Sequence, residues 1–483
     1  MSNTSNTMTG LAGGEVQEMI ATVSNSLGVE FHLPLLRVTR QLAVFESYDL
    51  SVVLRMSEVL SPFQIKLRDE VIYAGKAVVR SQVNTGTAVL CELTLDDSGW
   101  QSPGAGADAS FGGDVGARFA GFVESWRKFY QVRPEMKLVT ADLQTFLTQL
   151  RIWSEQIEFD LRRSNPADKL GTEKKIAEQL GKSVFPFLDE LFDQLERTAS
   201  RCGEALEPMH AAYVRRQIHP LILCSPFADR TVHKPLGYAG DYEVVNMILR
   251  DPHEGSSLYA RLLNRWFIKQ PPAEAHRNRV QHLTQRLLEE TARCKAAGRS
   301  ARFFNLGCGP AKEIQDFMSG HAVSDHAEFT LLDFNEETVA HARSVLEGVR
   351  TRSNRSTVLN LQKKSVANIL KSRDGSAANG AGGAYDMVYC AGLFDYLTDS
   401  VCARLMAVFY DMLAPGGLLL VTNVDRANPI RHWLGDVLDW HLIYRDAADM
   451  KALKPERAGA DEATVCADYT GVNLFLEVRK PLA

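Results

Sequence analysis

The chain has 483 residues, too many for one compact core, so two or three domains are expected. It is 45% hydrophobic and 23% charged, ordinary for a globular protein, and a net charge of −5 argues against a dedicated nucleic-acid binder. No apolar run reaches the roughly 18 to 20 residues that span a bilayer. The opening MSNTSNTMTGLAGG lacks the order of a secretory signal, and the eight cysteines have no CxxC pair or metal-ligand spacing. The expectation is a cytoplasmic protein with reduced thiols, no metal site, no transmembrane segment and no nucleic-acid partner.

Residues 1–30, rich in Ser, Thr, Asn and Gly, read as a flexible tail with a short helix around Val16–Val23. From residue 31 to 98 come short β-branched runs: LAVFES, LSVVLRM, FQIKLRD, VIYAGKAVVRSQV and TAVLCELTL. Separated by turn residues, they predict a small antiparallel β-barrel. Residues 99–116 form a Gly/Ala/Ser-rich linker, and residues 117–225 are helical. There Leu143, Phe146, Leu147, Leu150, Trp153 and Ile157 recur at helical spacing and predict one buried face. Phe185, Leu188, Leu191 and Phe192 mark a second helix around Val184–Leu195.

From residue 226 helical segments run to Ala297, and strand and helix patterns then alternate to residue 483. ARFFNL, EFTLLDF, STVLNLQ, YDMVYCA and GLLLVTNV are the strands, so this is an α/β part with a parallel sheet covered on both faces. KSRDGSAANGAGGA, before YDMVYCA, reads as a surface insertion.

The chemistry concentrates in ARFFNLGCGPAKEIQDFM, residues 301–318. A strand ends at Leu306, a glycine turn follows, and a helix starts near Ala311. Gly307 and Gly309 let the backbone bend and approach a ligand closely. Asp333 ends the next strand, 24 residues after Gly309. An acid there can hydrogen-bond both hydroxyls of a ribose. Lys312 stands where a dinucleotide fingerprint has its last glycine, which disfavours NAD. Asp395 and Tyr396 follow the fourth strand, where such a sheet places reacting groups.

GCGPAKE, Asp333, YDMVYCAGLFDYL and LAPGGLLLVTNV resemble, in order and spacing, the motifs of class I S-adenosylmethionine-dependent methyltransferases over residues 230–483. The resemblance implies a Rossmann-like seven-stranded sheet whose last strand, TGVNLFLEVRKP, is antiparallel. It also implies S-adenosyl-L-methionine as cofactor. Asn305 to Gly309, with Gly307, Cys308 and Gly309 in the turn, would lie against its amino-acid part, Asp333 at the ribose, and Lys364, Ser365 and Val366 beside the adenine, with Phe334 and Ala391 as further cofactor-binding residues. Two positions depart from the pattern. Asn305 replaces an acid and so lacks the charge that attracts an ammonium, and Ala311 replaces the third glycine.

HKPLGYAGDY, AHRNRVQHL, NLGCGPAKEI, AGLFDYL and DWHLIYR resemble a narrower group. These are bacterial methyltransferases that make 3-hydroxy fatty acid methyl esters, notably the quorum-sensing signal 3-hydroxypalmitic acid methyl ester. That implies methylation of a fatty acid carboxylate, free or delivered on an acyl carrier, with HKPLGYAGDY as a lid. Tyr238 and Tyr242 would shield a sulfonium, and Asp241 would cap the next helix. A carboxylate is already anionic near neutral pH and needs no general base. Its anchor is sought among Arg277, Arg279, His282, Tyr444, Arg445 and His233 with Lys234, each of which alone reads more readily as a structural contact. Tyr238, Tyr242, Asp395, Tyr396 and Arg445 are the catalytic candidates, and a hydroxyl or amine substrate would instead need Asp395 or His441 as base. Two rival readings stay open: a methyltransferase acting on another small molecule or lipid, and an inactive regulatory or interaction protein. Peripheral membrane contact and a homodimer are open as well.

The barrel resembles the PilZ type, which often binds cyclic di-GMP. It lacks that type's R-x-x-x-R turn, because Arg37 and Arg40 are wrongly spaced, and SEVLSPFQI lacks the required glycine. A barrel that binds no dinucleotide and serves docking, dimerisation or regulation is expected.

Overall fold

The computed structural model describes residues 19–25, 28, 30–47, 54–67, 70–84, 89–101, 120, 123, 131–164, 168–203, 206–371 and 385–482. Most of the expected tail, nearly all of the 99–116 linker and nearly all of the KSRDGSAANGAGGA insertion lie outside the described residues.

The first six strands are β1 (Met19–Ser24), β2 (Glu30–Val38), β3 (Leu42–Ser47), β4 (Val59–Leu67), β5 (Glu70–Asn84) and β6 (Val89–Leu95). They close into a barrel in the order β1-β2-β3-β6-β5-β4. Alternation drives closure: Cys91, Leu93 and Leu95 of β6 face inward while their neighbours are half-buried. The helix expected around Val16–Val23 is corrected by β1. Residues 19–24 pair with both β2 and β4 and bury Ala21 and Val23 inside the barrel. Two edges that need partners override a weak local helical preference. The barrel therefore begins before residue 31. Of LSVVLRM, residues 50–53 lie outside the described residues, and residues 54–56 are not in a strand.

The helices that follow are α1 (Pro134–Ser164), α2 (Lys169–Ser200), α3 (Glu207–Ile222), α4 (Pro226–His233), α5 (Tyr242–Leu249), α6 (Leu258–Ile268) and α7 (Pro271–Ala296). Leu143, Leu147 and Leu150 of α1 are buried, as are Leu188, Leu191 and Phe192 of α2. Trp153 departs from the expected face at 47% exposed. Ser154 takes the inward position, its hydroxyl donating to the Leu150 carbonyl at 2.7 Å. One apolar core joins α1 and α2 to α4–α6 and to Ile430, Trp433 and Leu434, so it crosses the expected boundary at 225.

The second sheet comprises β7 (Ala301–Leu306), β8 (Ala327–Asp333), β9 (Val358–Lys363), β10 (Tyr385–Cys390), β11 (Leu413–Val424), β12 (Ala463–Ala467) and β13 (Asn473–Arg479). Its order is β12-β13-β11-β10-β7-β8-β9, and β13 runs antiparallel to both its neighbours. This is the expected Rossmann-like seven-stranded sheet with an antiparallel last strand. Interleaved are α8 (Lys312–Gly320), α9 (Glu336–Arg352), α10 (Val366–Lys371), α11 (Asp399–Met412), α12 (Arg431–Leu438) and α13 (Ala447–Ala452). The strand order reverses at the β7–β10 pair, so a crevice opens beyond their C-terminal ends. Among the described residues no helix is long and apolar enough to cross a membrane.

The barrel is sewn to this crevice. Met56 N donates to Tyr396 O at 3.2 Å, Val59 N to Gly237 O at 2.7 Å, and the Ser57 hydroxyl to His441 O at 2.9 Å. Nearby, Asp439 accepts from Lys234 Nζ at 2.8 Å, from Arg215 Nη2 at 2.9 Å and pairs with His441 Nε2 at 3.2 Å. Burial works against ionisation of Asp439, but Arg215 and Lys234 hold its carboxyl well below the usual carboxylate range. Its contribution is thus complete at neutral pH and declines only in acid. Asn tolerates the left-handed backbone found there (φ 52°), so Asp439→Asn isolates the charge. Urea unfolding at pH 7 is expected to show a loss of about 3 kcal/mol, because Lys234 would stay buried without its counter-ion. A loss below about 0.5 kcal/mol would contradict the role given to this cluster.

Candidate functional site

A cavity of about 440 Å³ fills the crevice and extends between the helices. Its floor is the glycine turn. Gly309 has φ 51°, and a Cβ added there would meet nothing within 4 Å, so the backbone faces open space. Ala311 adopts φ 52°, a left-handed conformation that glycine holds with ease and alanine only at a cost. Asp333 is 5% exposed. Its carboxylate accepts from Gly309 N at 3.3 Å and Asn335 N at 3.0 Å, and burial pushes its pKa up. All the cofactor-binding candidates line this cavity: Asn305, Gly307, Cys308, Gly309, Asp333, Phe334, Ser365, Val366 and Ala391.

HKPLGYAGDY crosses the cavity between α4 and α5. Gly240 has φ 69°, and a Cβ there would fall 2.8 Å from the Tyr396 hydroxyl and 2.9 Å from Trp440, so no larger residue fits. Tyr238 meets Phe334 edge-on at 5.1 Å. Asp241 caps α5 through Glu243 N and Val244 N, at 2.9 and 3.0 Å, and also pairs with Arg230. Tyr242 lines the cavity too, but its hydroxyl donates to Glu337 at 2.7 Å and its ring packs on His341, tying the segment to α9.

Asp395 and Tyr396 also line the cavity. The Asp395 carboxylate accepts from Val424 N at 2.6 Å, and Trp440 Nε1 donates to the Tyr396 hydroxyl at 2.9 Å. Arg445 is a correction. It is 2% exposed, lies outside the cavity, and donates to Asp399 and to the carbonyls of Phe394 and Leu397. It props up the loop that carries Asp395 and Tyr396. The other anchor candidates also fall away. Arg277 binds Glu274, His282 binds Glu477, His233 binds Asp229, and Lys234 binds Asp439, while Tyr444 and the alternative base His441 lie outside the lining.

Arg279 alone of that set lines the cavity. It lies beside Gly392, makes no ion pair among the described residues, and donates through Nη2 to His276 Nδ1 at 2.6 Å. Burial, then the charges of Arg279 and Arg277, hold His276 well below the usual histidine range. The neutral ring can therefore accept from Arg279.

Several lining residues had no signal in the sequence reading. Asn25, Phe31, Arg55 and Met56 come from the barrel, with the Arg55 guanidinium 3.8 Å from the Phe334 ring centre. Val244, Ile248, Phe267, Ile430, Trp433 and Leu434 make an apolar arm. Glu313 of α8 also lines the cavity, although it sits inside the quoted GCGPAKE motif. Among the described residues, no group of three or more His, Cys, Asp or Glu side chains is placed to hold a metal ion.

Burial pushes the Glu313 carboxyl above the ordinary glutamate range. A carboxyl raised in the fold stays protonated while its unfolded counterpart ionises, so stability falls as pH climbs from about 4 toward the folded value. Ligand-free Glu313→Gln is therefore expected to melt higher than wild type, by a margin that widens above about pH 4 and then levels off. Thermal scans across pH check this, and a margin independent of pH would contradict the burial account.

No family model matches the chain, and no curated protein matches it. Solved structures do share part of its shape. A possible exported protein from Bordetella parapertussis is 17% identical, with TM-score 0.40, covering 59% of this chain and 98% of its own. Magnesium protoporphyrin IX methyltransferase from Synechocystis, with bound SAH, is 13% identical, with TM-score 0.33, covering 56% and 99%. A SAM-dependent methyltransferase from Methanosarcina mazei is 11% identical, with TM-score 0.28, covering 38% and 94%.

Proposed function

We propose that the chain is an S-adenosylmethionine-dependent methyltransferase that esterifies the carboxylate of a 3-hydroxy fatty acid, such as 3-hydroxypalmitate, to a methyl ester signal for quorum sensing. One observation carries the reading. A single cavity contains a glycine turn with a ribose-competent acid, an apolar arm, and one half-buried arginine, Arg279, with no carboxylate ion pair among the described residues. The 3-hydroxyl and the signalling role rest on the motif resemblance.

The residues present fit the cofactor. Gly309 leaves room for a ligand against the backbone, Asp333 offers acceptors for two ribose hydroxyls, and the buried Asn305 Oδ1 has no partner among the described residues. When bound, S-adenosylmethionine supplies a methyl group made electrophilic by the sulfonium. Val366 offers apolar surface beside the adenine position, and Tyr238 packs against Phe334 at the cavity wall. Arg279 would hold the substrate carboxylate, with His276 fixing its guanidinium. The apolar arm of α5, α6 and α12 would take the acyl chain and exclude water. No proton moves in the transfer, so alignment and desolvation are what the protein contributes.

Incubating the protein with labelled methyl donor and a panel of plain and 3-hydroxy acids is expected to yield methyl esters, identified by mass spectrometry. Asp333→Asn should lower the rate at limiting cofactor by on the order of a hundredfold, since charge-assisted bonds to the ribose are lost. Equal rates would remove Asp333 from the site, and methylation of an unrelated acceptor would replace the acid as substrate.

Arg279→Gln is expected to raise the KM for the acid about tenfold or more, with cofactor affinity little changed. Loss of cofactor affinity instead would assign Arg279 to the carboxylate of the methionine moiety.

A further inference from the structure

Asn305 ends β7, lines the cavity and is 2% exposed. Its Nδ2 donates to Glu313 Oε1 at 3.4 Å, while its Oδ1 has no partner among the described residues. Glu313, in the first turn of α8, lines the same cavity and is 6% exposed. Its Oε1 also accepts from the Tyr389 hydroxyl at 2.9 Å. Both donors to Glu313 are neutral. The adjacent Lys312 is taken by Asp316, and Glu313 makes no ion pair among the described residues.

A buried carboxylate hydrogen-bonded only by neutral donors is costly, because water has been removed and the nearby Arg279 charge, which favours ionisation, does not outweigh that loss. An amide oxygen left bare beside it adds to the cost. Two acceptors at one cavity wall, one of them bearing the charge when ionised, match a group with several N–H donors and a positive charge. A primary ammonium has both properties. The pattern of a single acid at the end of the first strand is split in this chain. The strand keeps a neutral acceptor, and the following helix returns a carboxylate to the same place.

We infer that Glu313 and Asn305 Oδ1 together form the receptor for the ammonium of an amino-acid-bearing nucleoside. This rests on the cofactor reading above and deepens it by naming the group that replaces the missing acid. Glu313 thereby becomes a cofactor-binding residue. Tyr389, which touches Glu313 from β10, is a positioning residue.

The test is calorimetric titration of the full chain with two ligands. S-adenosylhomocysteine carries the ammonium, whereas 5′-methylthioadenosine has the same nucleoside without the amino acid. Glu313→Gln is expected to weaken S-adenosylhomocysteine about tenfold or more and to change methylthioadenosine less than about twofold. Asn305→Asp placed in the Glu313→Gln background is expected to return most of the lost affinity, because it restores the charge from the strand side. Should Glu313→Gln fail to fold, Asn305→Ala provides the test. It is expected to cost S-adenosylhomocysteine several-fold and methylthioadenosine less than about twofold. Equal weakening of both ligands, or absence of rescue, would overturn the inference and leave the cofactor reading standing. Wild type that binds neither ligand would sink both.

Discussion

A carboxylate at the tip of β8 holds the turn at the tip of β7, and the site is arranged around that contact. Asp333 accepts from the Gly309 amide, so the turn's backbone is pinned open against the cavity. The same burial that shields this contact from water also raises the carboxyl's pKa. Hydrogen-bond donors placed where a ribose would lie can offset that cost. The sheet supplies the geometry by reversing its strand order between β7 and β10, which leaves an unfilled gap beyond the strand ends.

The gap is closed by chain from three distant stretches. HKPLGYAGDY passes over it, with Gly240 held against Tyr396 and Trp440 by lack of space. Residues 54–59 of the barrel bond to Gly237 and Tyr396 backbone and, through Ser57, to His441. Helix α12, inserted after β11, contributes Trp433 and Leu434 to the apolar arm. Under the proposed function the barrel is a wall of the catalytic chamber, with Arg55 lying over Phe334. That reading gives a barrel without the PilZ ligand motifs a task that needs no ligand of its own.

Much of the site was legible because its chemistry is local. Gly307, Gly309 and Asp333 advertise a ligand-binding turn through their spacing and their place at strand ends. The place of HKPLGYAGDY beside the cavity was legible through its glycines and tyrosines. Arg445 misled, because an arginine in a polar motif reads the same whether it faces a substrate or props up a loop. Only its partners decide, and here they are Asp399, the Asn423 side-chain oxygen and two main-chain carbonyls. Trp153 misled in a similar way. Its spacing suits the buried face of α1, yet Ser154 takes that place by returning its hydroxyl to the helix backbone.

The sequence by itself determined the alternating strands and helices, the reversed last strand, the glycine turn and its acid, because each depends on neighbours within a few tens of residues. The tertiary structure alone decided that β1 closes the barrel, that the barrel borders the cavity, and that Arg279 is the anchor candidate facing it. It also decided that Glu313 stands beside Asn305. These outcomes depend on which side chains are deprived of water together. Burial is a property of the assembled chain, and no local pattern of residues encodes it.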